Sequence, residues 1–207
     1  MRLSCILSSV AAATIGAASA SSRCPPFPSS MIAFSSEFQQ PEPPLVKPEF
    51  RTQFIQHKWD QNVSHIMTGY IENSPAKGFV RVNEVFDDKL ATSLFNHHNV
   101  TKEGLVDNTL TTYDPAVKKP NIWRGYVNSN YPIFAKDILI TAGAVFEGLV
   151  QRNFNEGLVA AWSIMYQGAI PVTVFVNSCH VVVGYDYFSP GLRTRVVTEF
   201  FNTRAEA

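Results

Sequence analysis

The chain is poor in cysteine, in net charge and in long apolar runs. Three of its 207 residues are cysteine, and its 17 basic residues balance its 17 acidic ones. Charged residues make up 16% of the chain, below the ~25% usual for soluble domains. With no basic excess or cluster there is no electrostatic footprint for nucleic acid, and no polybasic patch for an anionic membrane surface. Beyond the N-terminus no segment reaches the ~18 uninterrupted apolar residues of a membrane span, so no transmembrane segment is expected. The polar ending, Asn202-Thr203-Arg204-Ala205-Glu206-Ala207, gives no lipid-anchor tail.

Chemical signatures are equally scarce. None of the five histidines (His57, His65, His97, His98, His180) stands in a zinc-binding spacing. Adjacent residues on a strand point to opposite faces, so the His97-His98 doublet cannot jointly hold one metal from a regular strand. No serine sits in a G-x-S-x-G elbow, and no glycine-rich loop has phosphate-cradling spacing. The acidic pair Asp87-Asp88 reads as a turn. An active site would have to be assembled from scattered groups such as His65, Asp107, Arg124 and Asp186. No catalytic residue, metal or cofactor is therefore expected.

What is present begins with an export signal, residues 1–20. Arg2 supplies the positive charge, an apolar small-residue run covers 5–18, and Ala18-Ser19-Ala20 forms an A-x-A cleavage site. Its removal leaves enough chain for one domain with a sizeable core. Cys5 departs with it, so Cys24 and Cys179 remain. In an oxidising compartment an isolated pair is most simply one disulfide. Two N-glycosylation sequons follow, at Asn62 and Asn99. The expected product is secreted.

Residues 21–49 read as an extended arm, because they hold seven of the thirteen prolines. Proline fixes φ and removes a hydrogen-bond donor, so neither a helix nor a central strand propagates there. A single β-rich domain is expected over 50–202, with a polar tail at 203–207. Strands are read at 51–59, 63–71, 78–86, 90–95 and 105–113. Between 78 and 86 the pattern has a strand's period of two, with Val80, Val82, Glu84 and Phe86 opposite Phe79, Arg81, Asn83 and Val85. Residues 131–144 fit a short helix opened by Pro132, although Ile138-Leu139-Ile140-Thr141 also fits a strand. Five further strands (145–154, 158–166, 170–176, 179–188 and 193–201), separated by short polar turns, make an antiparallel meander.

The meander carries the functional hint. On 158–166 one face is Leu158, Ala160, Trp162, Ile164 and Tyr166, and the other is still mostly apolar. A sheet with one solvated face alternates cleanly. Two apolar faces fit a mainly β fold in which a curved antiparallel sheet, or half-open barrel with one or two short helices, packs on one side and lines a hollow on the other. A filled sandwich core is the alternative. The aromatic residues suit either an apolar pocket with polar handles or plain core filling.

Several stretches resemble the LolA-like superfamily and, within it, the ependymin-related secreted proteins. They are Lys77-Gly78-Phe79-Val80-Arg81-Val82-Asn83, Ser93-Leu94-Phe95-Asn96, Trp162, Pro171-Val172-Thr173-Val174, Tyr185-Asp186-Tyr187-Phe188 and Phe200-Phe201-Asn202. The resemblance spans about 50–202, although ependymins carry more cysteines than Cys24 and Cys179. It implies a half-open curved sheet lidded by helices and a hydrophobic cavity for acyl chains or similar ligands. Ependymins are associated with calcium, but no acidic cluster here matches an EF-hand loop.

The expected function is a secreted carrier of a hydrophobic, lipid-like small molecule, without catalysis. The expected wall is Trp162, Ile164, Tyr166, Val174 and Phe175, with Trp123 nearby. Val174 and Phe175 face opposite ways, so at most one lines the hollow. Two alternatives are an extracellular glycoprotein acting through its surface and a barrel-type isomerase or hydrolase.

Overall fold

The computed structural model describes residues 24–31, 40–61, 63–86, 89–166 and 168–206. The expected export signal, Asn62 and the Asp87-Asp88 turn lie outside them. Eleven strands form one antiparallel sheet: β1 (Phe50–Asp60), β2 (Val63–Ser74), β3 (Phe79–Phe86), β4 (Lys89–Val100), β5 (Val106–Tyr113), β6 (Asn121–Val127), β7 (Val145–Gln151), β8 (Leu158–Tyr166), β9 (Ile170–Val176), β10 (Val182–Ser189) and β11 (Thr194–Ala205). Their order across the sheet is β6-β5-β4-β3-β2-β1-β11-β10-β9-β8-β7. The expected meander is therefore present as β7 to β11, and a second meander runs from β1 to β6. The two meet where β1 pairs with β11, for example Phe54 opposite Phe200.

β6 and β7 are the two free edges, so the sheet is open. It nevertheless curls. Val106 on β5 and Ile164, Ile170 and Val172 on β8 and β9 line the same hollow, which a flat sheet with strands ~4.8 Å apart could not allow. Residues 128–144 cross the concave face from one edge to the other. They bring Tyr131, Phe134 and Leu139, all buried, against one face of the strands. Phe134 packs 6.3 Å from Phe50 and 5.7 Å from Tyr185, and Tyr131 5.7 Å from Phe54. Asn73 on β2 ties the crossing down: its side-chain amide donates to the carbonyls of Pro48 and Phe134, and its oxygen accepts from the Phe134 N–H.

This crossing is where the expected helix falls. Only α1 (Ile138–Thr141) is helical. Residues 128–137 are irregular because they serve as a cover: Ser129 both donates to and accepts from the Tyr131 backbone, spending hydrogen bonds a helix would need internally. β6 was not expected from the sequence. As an edge strand it is largely solvent-exposed, so it lacks the apolar alternation that betrays a half-buried strand. β4 continues to Val100, with a register break between Asn96 and Val100. β11 continues to Ala205, into the residues expected as a polar tail.

β10 starts at Val182, later than expected. Asn177 caps the preceding turn, its side-chain oxygen accepting the N–H groups of Cys179 and Val181. A bulge follows at Gly184, where the register with β9 shifts. The backbone has φ +153°, and a Cβ there would lie 2.5 Å from the Thr198 carbonyl, so only glycine fits. The extra residue resets the alternation. Val182 points inward and Val183 outward, yet Tyr185 joins Val182 on the inner face.

The arm is strapped down. Cys24 and Cys179 form a disulfide, as expected. Val46 N–H donates to the Lys136 carbonyl and Lys47 N–H to that of His180, both at 2.8 Å.

Candidate functional site

The concave face holds a cavity of about 230 Å³. Its wall is Ile164 and Tyr166 of β8, Ile170, Val172 and Val174 of β9, and Tyr185, Tyr187 and Ser189 of β10. Alternation puts the β8 and β9 residues there, and the Gly184 bulge puts the β10 residues there. The crossing covers the cavity with Asn130, Ile133, Phe134 and Ile138, and Val106 and Leu192 reach it from elsewhere. No residue lining it carries a charged side chain.

Its polar groups come mainly from β10 and from residues 128–130 of the crossing, with the Tyr166 hydroxyl on the β8 side. The Tyr185 hydroxyl donates to the Asn130 carbonyl at 2.7 Å, and the Tyr187 hydroxyl to the Asn130 side-chain oxygen at 2.8 Å. The two rings lie parallel, 6.4 Å apart. Burial raises the Tyr185 hydroxyl well above the usual phenol range, and neighbouring Tyr187 adds to the shift. Burial likewise raises Tyr187, with the negative charge of Asp60 contributing. Both phenols therefore stay protonated and act as neutral hydrogen-bonding groups. Gln56, fully buried, donates to Thr198 at 3.0 Å and to the Tyr185 oxygen at 3.4 Å. Nearer β3, the buried Tyr131 hydroxyl donates to Glu84 at 2.7 Å. Burial raises Glu84 above its ordinary value, opposed by that hydrogen bond and by His65.

Of the wall residues expected from the sequence, Ile164, Tyr166 and Val174 lie at this cavity. Trp162 lies instead at a second hollow of about 410 Å³ beneath the arm, beside Phe27, Met31 and Val176. It is 1% exposed, and its indole N–H has no hydrogen-bond partner among the described residues. Phe175 points away, into a cluster with Val159, Ala161 and Val183 on the outer face, and the Arg152 guanidinium sits 4.0 Å above its ring. That opposition to Val174 follows from the strand period. Trp123 is 45% exposed on the edge strand β6 and lies away from the cavity, with its ring over Gly125.

The four scattered polar candidates do not converge. Asp186 forms a two-pronged pair with Arg152, at 3.0 and 3.1 Å, on the outer face, and Asp107 accepts from Asn99. Neither they nor His65 and Arg124 line the cavity. Among the described residues no group of three His, Cys, Asp or Glu is placed to hold a metal, and no helix is long and apolar enough to cross a membrane. Asn99 is exposed near the end of β4.

Residues the sequence reading did not single out complete the site: Asn130, Ile170, Val172, Tyr187 and Ser189. The pair Tyr185 and Tyr187 carried a usable signal, since residues two apart on a strand share a face.

No family model and no curated protein matches the chain. Two of the solved structures similar to it are the following. One is a DUF1329 family protein from Desulfovibrio piger, with 9% identity, 78% of this chain and 87% of that chain covered, and a TM-score of 0.33. The other, from Vibrio parahaemolyticus, is described as an outer membrane lipoprotein-sorting protein domain. It has 7% identity, 77% and 86% coverage, and a TM-score of 0.33.

Proposed function

We propose that the protein is a secreted carrier of a hydrophobic small molecule and performs no chemistry on it. One observation carries the reading: a cavity of about 230 Å³, walled mainly by aliphatic and aromatic side chains and without a charged one, sits inside the curled sheet. Sites for small apolar ligands have this composition. Binding would draw on burial of apolar area, at ~25 cal/mol per Å².

The Cys24–Cys179 disulfide supports an oxidising compartment. Secretion past a signal ending near Ala20 belongs to the same proposal, as does glycan attachment at Asn62 and Asn99. So does the ependymin-related kinship within the LolA-like superfamily, which the sequence stretches alone support. Ile164, Tyr166 and Val174 are proposed as ligand contacts. Trp162 backs the sheet beneath the arm. Phe175 and Trp123 take no part.

The test is displacement of an environment-sensitive apolar dye from the purified secreted protein, with native mass spectrometry of material taken directly from the expressing host. A saturable dye site or a co-purifying hydrophobic mass supports the carrier reading. A folded protein that binds no apolar probe refutes it.

A further inference from the structure

The β10 side of the cavity, where Tyr187 lies opposite Val172 and Val172 opposite Ile164, also constrains the head of the occupant, an inference that rests on the carrier reading. Several of its hydrogen-bonding groups are already used. Tyr185 donates to the Asn130 carbonyl and accepts from Gln56, and Ser129 donates to and accepts from the Tyr131 backbone. Among the described residues, open capacities remain on the β10 side: the Tyr187 oxygen as an acceptor, since its proton goes to Asn130, the Asn130 side-chain NH₂ as a donor, and the Ser189 hydroxyl as either, while the Asn128 amide and, on β8, the Tyr166 hydroxyl also line the cavity. A head that both donates and accepts satisfies them, whereas a bare hydrocarbon leaves them dry.

Charge is excluded on separate grounds. The cavity lining holds no Lys, Arg, His, Asp or Glu. The carboxylate whose field reaches Tyr187 is Asp60, which repels an anion. The adjacent cation, Lys58, is held by Asp60 at 3.6 Å. A buried ion without a partner costs far more than an apolar wall returns. Size narrows the class further. A 150 Å³ apolar cavity holds benzene, so 230 Å³ corresponds to roughly nine heavy atoms.

We propose that the cavity selects a neutral, medium-length apolar alcohol or amide over fatty acids, phosphorylated lipids and alkylamines. The head is held by Tyr187, Asn130 and Ser189, and the tail lies along Ile164, Val172 and Val174.

Calorimetric titration of the full secreted protein at neutral pH with 1-nonanol, nonanamide, nonanoate and nonylammonium tests this. The alcohol and amide should bind at least about tenfold tighter than either ion. Ser189→Lys should then narrow or reverse the preference of nonanol over nonanoate. If that variant misfolds, the ranking on the unaltered protein still decides. Nonanoate binding as tightly as nonanol overturns the neutral-head inference and leaves the carrier reading standing. If none of the four binds a folded protein, both fall.

Discussion

Asn73 gives the sharpest test of what holds the cavity's cover in place. Its side chain is 1% exposed and makes three hydrogen bonds: to the Pro48 carbonyl at 2.6 Å, to the Phe134 carbonyl at 3.0 Å and from the Phe134 N–H at 3.0 Å. Asn73→Ala removes all three partners at once. Both Phe134 groups are left in a buried setting, and each unsatisfied buried group costs about 1–3 kcal/mol. The Pro48 carbonyl is partly open to water and adds less. The expected loss is therefore about 3–5 kcal/mol. Asn73→Asp should cost at least as much, because a carboxylate would face two carbonyl oxygens. Urea unfolding followed by tryptophan fluorescence reads the stability, and hydrogen exchange at the Phe134 amide reads the crossing itself. A change below about 1 kcal/mol with Phe134 protection intact would refute the reasoning. Ring packing against Phe50 and Tyr185 would then suffice to hold the cover.

Other outcomes can be checked alongside. Ile170→Trp, at a half-buried wall position, should abolish binding of an apolar dye and cost no more than the ~1–3 kcal/mol of overpacking, as read by dye titration and thermal melting. Replacing Cys24 and Cys179 with serine releases a crosslink between residues 155 apart. The chain-entropy argument makes the loss at most about 5 kcal/mol, measured by denaturant titration. In a Trp59→Phe, Trp123→Phe background, the freed arm should expose Trp162 and shift its emission to the red. Glu84 is raised above its ordinary 4.5 in the folded state by burial, so the folded protein holds its proton more tightly than the unfolded chain. Its stabilising contribution is complete in acid and declines as pH rises from 4.5 through the raised folded value. Glu84→Gln should flatten that part of a stability-against-pH curve.

The strands that pair with their sequence neighbours were readable because alternation and turn chemistry are local. The hairpin turns at Gly157 and around Pro190-Gly191 mark the last third plainly. The pairing of Cys24 with Cys179 needed only a count. What escaped is what depends on distant parts of the chain. β6 is exposed, so hydrophobic periodicity is silent there. The inward aim of Tyr187 depends on a bulge at Gly184, whose need for glycine comes from Thr198 on another strand. Asn73 gave no sign of its role, because its partners Pro48 and Phe134 are brought to it only by the tertiary fold. The same holds for Asn130, which reads as an ordinary loop residue until two tyrosines converge on it. Phe175 shows the complementary error. Its hydrophobicity was real, but it serves the outer cluster beneath Arg152.

Nine of the ten strand pairings join neighbours in sequence, and the β1–β11 seam alone joins distant ones, such as Thr52 and Phe201, 149 residues apart. At that seam the backbone N–H of Glu206 donates to the carbonyl of Glu49 at 2.9 Å. A circular permutant cut within the crossing and rejoined there would run as one unbroken up-and-down ribbon from β7 through β11 and β1 to β6. Every contact between strands would then be local, and such a chain should collapse faster than the present one. The cut would divide the segment that roofs the hollow into two loose tails, one on β6 and one on β7. The present connectivity thus gives up folding speed for a covered interior.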